Sequence, residues 1–312
     1  MNKGLIFAID LLDKREFCGI EQTENPTWLH FDYSNPQTKL WFLEESNLPI
    51  EIVRAFLDTH STNRFISSEK GFFFVFRALN LNEGEDKEDM INLHIWVENN
   101  RIITMRSLRV KGIDEIKNKM LKQKKNLSTK KVFLDILELL TENTANYVFE
   151  LYENIDAIDE VLIENFVKGL RHRISDLRKK IIELRRFLLP QKILLESLYK
   201  ENIFSNGERN HLKAILEHNS KIVEDLNSLK DRANICQEEF NGKISDQMTK
   251  TMYTLTILST IFLPLNFIAS MLGVNVSGIP GANYPHAFLL VCIIVFLVAL
   301  LEYFWFKKNR YL

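Results

Sequence analysis

The chain has 312 residues, enough for one or two domains with a real core, and its formal net charge of -1 gives no basic field for a nucleic-acid partner. Three cysteines, Cys18, Cys236 and Cys292, lie far apart with no C-x-x-C pair. Neither a disulfide scaffold nor a thiolate zinc site is predicted, and a reducing, cytosol-facing bulk fits.

The opening MNKGLIFAIDLLDKREF has a short apolar run broken by Asp10 and Asp13, with no small-residue cleavage site. No signal peptide is expected, so the N-terminal bulk is expected in the cytosol. Residues 1–128 read as a cytosolic α/β domain. Short β-branched and aromatic runs predict strands at Leu5–Leu11, Trp28–Tyr33, Phe72–Leu79, Asn92–Val97 and Arg101–Met105, the last two joined through ENN as a hairpin. Residues 49–58, PIEIVRAFLD, open on Pro and carry helical spacing.

Residues 129–207 read as long cytosolic helices. Phe133, Ile136, Leu137 and Leu140 fall on one helical face, as do Ile174, Leu177, Ile181, Leu184 and Leu188. Glu150–Glu164 between them is acidic and reads as a solvated helix face. Pro190 is expected to kink or interrupt the second helix. After Ser205-Asn206-Gly207, residues 208–250 read as a stalk helix, continuous with the next segment as far as Gly273.

Residues 251–274 carry no charge, and residues 287–306 form a second apolar run. Each can cross a hydrocarbon core, which takes about 20 helical residues. Residues 275–286, rich in Gly, Pro and Asn, read as an outer loop, and residues 307–312 as a basic cytosolic tail. Lys243 and Lys250 precede the first span, Lys307, Lys308 and Arg310 follow the second, and the loop has no Lys or Arg. Both termini are therefore expected in the cytosol. Glu302, near the inner end, is expected to pair with Lys307 or Lys308.

Two helices cannot enclose a pore, so conduction requires several copies. Ser259, Asn266 and Ser270 share one face of the first span, and Thr249, Met252, Leu255 and Leu263 extend it. This stripe is the candidate pore lining, with Met252, Leu255 and Leu263 as apolar rings able to gate by dewetting. Hydroxyls on such a face also pack or back-bond between helices, but the Asn266 amide is costly in lipid and asks for an interior position. His211 and His218, seven residues apart on the stalk, and His286 in the outer loop are candidate metal ligands. Against that stand a solvated role for the first two and an interfacial cap role for His286.

The first span closes as TIFLPLNFIASMLGVN, Thr260–Asn275. This resembles the signature of the CorA metal-ion transporter family, which ends its first membrane helix on G-M-N. Here the tripeptide is Gly273-Val274-Asn275. The continuation VSGIPG, Val276–Gly281, resembles the ZntB-type zinc-transporting branch, as do Arg77–Val97 and the Arg185-Arg186…Pro190-Gln191 segment. Val274 replaces the family Met, Asn266 a common Thr, and Ser270 a Gly. The resemblance implies a CorA-like funnel: an α+β cytosolic domain with long helices, plus two C-terminal transmembrane helices. It implies a homopentamer in the bilayer of the inner (plasma) membrane, with the first span lining the pore. Gly273, Val274 and Asn275 would form the ion mouth, with Asn275 as a metal-facing residue. A neutral ring of oxygens holds a hydrated divalent cation weakly enough to release it.

The implied function is uptake of divalent metal cations, with Zn²⁺ favoured and proton coupling open. A Mg²⁺, Co²⁺ or Ni²⁺ channel is the alternative, and a non-conducting membrane-anchored scaffold or signalling protein stands against both. No cofactor is expected beyond the transported ion. No P-loop, G-x-S-x-G, H-E-x-x-H or paired Cys/His motif is present, so no enzyme is predicted.

Overall fold

A computed structural model describes residues 3–17, 19–20, 25–58, 63–122, 127–164, 169–274 and 284–308. The chain divides into two compact units, Met1–Gln237 and Glu238–Leu312.

The first unit is built on a mixed seven-stranded sheet ordered β2-β1-β3-β7-β6-β5-β4. Its strands are β1 (Leu5–Asp10), β2 (Glu16–Phe17), β3 (Thr27–Asp32), β4 (Phe65–Ser68), β5 (Gly71–Ala78), β6 (Ile91–Glu98) and β7 (Arg101–Arg106). Only β3 and β7 pair in parallel. The hairpin expected at ENN is present, with β6 and β7 joined across Asn99 and Asn100.

Both faces of the sheet are covered, which explains why β5 reads GFFFVFRA without polar alternation. Phe72, Phe74 and Phe76 point to one core with Phe7, Trp28 and Ile95. That core is closed by α3 (Lys111–Lys122), α4 (Thr129–Glu164), the end of α5 (Leu170–Lys200) and the start of α6 (Asn206–Gly273). Phe73 and Val75 point to the other core, under α1 (Pro36–Glu44) and α2 (Ile50–Leu57). Trp41, Phe42 and Phe56 fill it with edge-on and tilted rings 4.5–5.1 Å apart.

The helix expected at 49–58 is α2, with Pro49 as its cap residue. Four elements lacked an expectation: β2, β4, α1 and α3. For α1 the signal was present, since Asn35 accepts the Gln37 N–H at 2.9 Å and Pro36 takes the first turn.

Pro190 does not interrupt α5, which runs through it. Proline lacks the N–H that would bond the Arg186 carbonyl. The neighbouring Phe187 carbonyl gains an outside donor instead, the Asn63 amide at 3.2 Å. The stalk helix starts two residues before the expected Glu208, because Ser205 and Glu208 form a capping box: the Glu208 carboxylate accepts the Ser205 N–H at 3.0 Å and its hydroxyl at 2.9 Å. The acidic stretch in α4 is partly engaged rather than purely solvated. Arg232 of α6 donates to Asp156 at 2.7 Å and to Asp159 at 2.5 Å, and the buried Cys236 thiol donates to Asp159 at 2.8 Å.

The second unit holds the C-terminal part of α6 and all of α7 (Ala287–Lys308). Both helices are long and apolar enough to cross a membrane, and none of either apolar window is buried within the chain. The ion pair expected for Glu302 is not formed: its Oε2 has no partner among the described residues.

Candidate functional site

The apolar part of α6 is half-covered along one stripe only: Ile257, Ile261, Pro264, Leu265 and Ile268. At about 100° per residue these side chains share one face. Met252, Leu255, Ser259, Leu263, Asn266 and Ser270 fall on the opposite face, and all are exposed, Leu263 at 74%. On α7 the half-covered positions Ala287, Val291, Val295, Val298, Ala299 and Glu302 lie toward one face, and Leu300 is half-covered on the other. Each helix therefore spends one face within its own unit, and the polar stripe of α6 is not that face.

The hydroxyls near this face divide into two kinds. Thr249, Thr251, Thr254, Thr256 and Thr260 each donate to the carbonyl four residues back, at 2.8–2.9 Å, and are satisfied within the helix. For Thr249 the back-bonding reading is thus the observed one. Among the described residues, Ser259, Asn266 and Ser270 make no side-chain hydrogen bond. Asn266 matters most, because an amide has two donors and an acceptor to satisfy. Its exposed face must meet water, another copy or lipid, and lipid is the costly choice.

Of the mouth motif, Gly273 ends α6 and Val274 follows it, 51% exposed. A Cβ on Gly273 would meet nothing within 4 Å. Among the described residues nothing calls for glycine there. Asn275 and the Val276–Gly281 loop lie outside the described residues. His286 is exposed, its carbonyl accepts the Leu290 N–H at 3.1 Å, and its ring lies 6.0 Å from that of Tyr284. That is the first turn of α7.

The two stalk histidines separate. Seven helical residues put them about 10 Å apart along the axis, too far to share one ion. His218 is exposed, whereas His211 joins two acids of α4. Its Nε2 lies 3.0 Å from a Glu138 oxygen, and the ligand atoms of Asp135, Glu138 and His211 all lie within 4.8 Å of one another. A cation already stands there: Lys131 Nζ lies 2.6 Å from Asp135 and 3.3 Å from His211 Nδ1. The ammonium donates to Nδ1, which leaves Nε2 as the protonated nitrogen facing Glu138. A metal would have to displace Lys131. Sequence reasoning missed the acids because they lie more than 70 positions from His211.

Two further histidines are buried in the sheet. His30 accepts from Arg106 at Nε2, 3.2 Å away, and meets Thr104 at 2.7 Å through Nδ1. Burial, with Arg106 beside it, pushes its pKa down to about 3. His94 bonds the Phe56 carbonyl at 3.1 Å, its Nε2 has no partner among the described residues, and burial lowers its pKa to about 4.

Comparison with known proteins agrees with this architecture. The chain is 27% identical over 297 residues to the zinc transport protein ZntB of Photorhabdus laumondii subsp. laumondii, a match covering 94% of this chain and 90% of the relative. It is 27% identical over 293 residues to the divalent cation transporter CmaX of Pseudomonas aeruginosa, covering 93% and 88%. The structure of full-length CmaX superposes with a TM-score of 0.85 at 24% identity, covering 99% of both chains. The model of the CorA-like Mg2+ transporter protein family matches residues 23–308. This chain, with its α/β sheet, its long helices and its two apolar C-terminal helices, is a member of the CorA-like family of membrane transporters, not an enzyme.

Proposed function

We propose that the chain is one subunit of a homopentameric pore for divalent cations in the inner membrane, lined by the α6 stripe from Thr249 to Ser270. The observation that carries this is the exposed, unbonded Asn266 on the α6 face opposite the covered one. In a ring of copies that face turns to water. Met252, Leu255 and Leu263 form apolar rings that exclude ions when the pore is narrow, and Ser259, Asn266 and Ser270 offer hydration sites between and beyond them. Gly273, Val274 and Asn275 form the outer mouth, where neutral oxygens bind the water shell of an arriving ion. The open space around Gly273 in the single chain supports close approach by neighbouring copies rather than an internal constraint.

Both termini face the cytosol, because the flanking Lys and Arg residues lie on one side. Transport runs inward, with Zn²⁺ as the favoured ion and Mg²⁺, Co²⁺ or Ni²⁺ next. The zinc and divalent-cation relatives are equally similar at 27%, so the preference for zinc rests on the Val276–Gly281 resemblance. Asp135, Glu138 and His211 form a candidate cytosolic cation site, held by Lys131 until an ion displaces it. Ion flux into liposomes holding the purified protein, with Zn²⁺, Mg²⁺, Co²⁺ and Ni²⁺ compared under imposed pH gradients, tests the function. A protein that moves none of them is a scaffold.

A further inference from the structure

A cluster of unpaired donors lies where α5 meets β5. Gln191 is fully buried, and its Oε1 accepts the backbone N–H of Arg77 at 2.9 Å. Its Nε2, with two protons to donate, has no partner among the described residues. The Arg77 guanidinium sits 4.2 Å from the centroid of the Phe187 ring, and that of Arg186 sits 4.5 Å from the same centroid. Arg77 is itself 9% exposed, and its Nε–H has no acceptor. Among the described residues neither arginine pairs with a carboxylate; the arginines that do are Arg101, Arg109 and Arg232.

This arrangement is incomplete as it stands. Arginine stays protonated, so two positive charges share one phenyl ring. The ring face attracts each of them, but the two repel one another, and the buried one has lost much of its hydration. The missing component is an acceptor with negative charge. Three donor groups lie around Phe187: the Arg77 and Arg186 guanidinium groups at its ring, and the Gln191 amide one helical turn further along α5. Arginine forks match the oxygen spacing of phosphate-type oxyanions, which also supply enough lone pairs for several donors at once.

We propose that Arg77, Arg186 and Gln191 form a binding site for a small phosphate-type oxyanion in the α/β unit. The anion bridges the two guanidinium groups and takes the free Gln191 N–H. Because Arg77 belongs to the sheet and Gln191 to α5, an occupied site ties the helix to the strand.

Inorganic phosphate is the probe. It is titrated into the full-length protein in detergent at fixed pH and ionic strength, with gluconate as the balancing anion, and followed by calorimetry. The expected result is saturable binding of one phosphate per chain. Arg186→Gln, at an exposed position that the core does not use, weakens it at least tenfold, as loss of a charged donor does. Arg77→Met abolishes it, and Lys179→Gln, elsewhere on α5, leaves it unchanged. Absence of saturable binding to the wild-type chain overturns the proposal, as does equal affinity in Arg186→Gln. Neither readout depends on ion transport, so the site stands or falls apart from the pore.

Discussion

The α/β unit and the C-terminal helical unit solve opposite problems with the same kinds of residue. In the first, the Phe133 ring lies 5.0–6.4 Å from those of Phe72, Phe74 and Phe204, and Phe72, Phe74 and Phe133 are almost fully buried. In the second, Phe288 is 82% exposed and Leu263 74%. The first core closes on itself, whereas the two C-terminal helices leave their apolar surface uncovered within the chain, as membrane-crossing helices do. In the proposed pore, lipid and other copies cover that surface.

The largest effect should come from breaking the closed unit. Phe133→Ala removes a ring that joins α4 to the sheet, at a cost of about 3–5 kcal/mol. Phe288→Ala, facing outward on α7, should leave chemical unfolding of the α/β unit within about 0.5 kcal/mol of wild type. Denaturation of the two full-length variants in detergent measures both, and equal losses would erase the contrast.

Acid should act on the same unit. His30 and His94 are buried with pKa values lowered to about 3 and about 4, so the native state holds them neutral while the unfolded chain protonates below about 6.5. The unfolded state binds more protons in that window. Stability should fall steadily from pH 6.5 toward pH 4, and a His94→Gln variant should lose part of this slope. A denaturation midpoint that stays flat between pH 7 and pH 5 would contradict the burial argument.

In the helical unit, substitution should change conduction before it changes folding. Leu255→Ser places a hydroxyl on the proposed dewetting ring and should leak ions in a liposome assay, with assembly unaltered. The smallest effect belongs to the Asp135–Glu138–His211 cluster of the α/β unit. Lys131→Met empties the position now held by an ammonium, and Zn²⁺ binding to the purified chain should tighten by about tenfold, since a competing charge is gone. Unchanged affinity would leave Asp135, Glu138 and His211 as a plain ion-pair network.

Much of this was legible in the sequence, for physical reasons that also mark the limits. The strands, the long helices and the two spans announce themselves through local periodicity, and so does the alignment of Ser259, Asn266 and Ser270. Helix α1 announced itself only through the Asn35-Pro36 cap, since its apolar residues follow no clear helical stripe. β4 is four residues long and gave too short a pattern. Periodicity shows that a stripe exists but not which way it faces; that required Ile257, Ile261 and Ile268 to be half-covered on the other side. The Lys131–Asp135–Glu138–His211 group and the Arg77–Gln191 contact join residues 80 and 114 positions apart, and no local signal reports such pairs.

The central claim is that the exposed α6 stripe faces an aqueous pore. Single cysteines at Ser259, Asn266 and Ser270, and at Ile257, Ile261 and Ile268, in a chain with its own cysteines replaced, test it directly. Flux through liposome-held protein is recorded before and after a water-soluble, cysteine-directed reagent. The stripe cysteines should be modified and block transport, with the ion present slowing their modification, while the three on the covered face should not react. Reaction at Ile257, Ile261 and Ile268 with none at Ser259, Asn266 and Ser270 would put the pore on the other face, or remove it altogether.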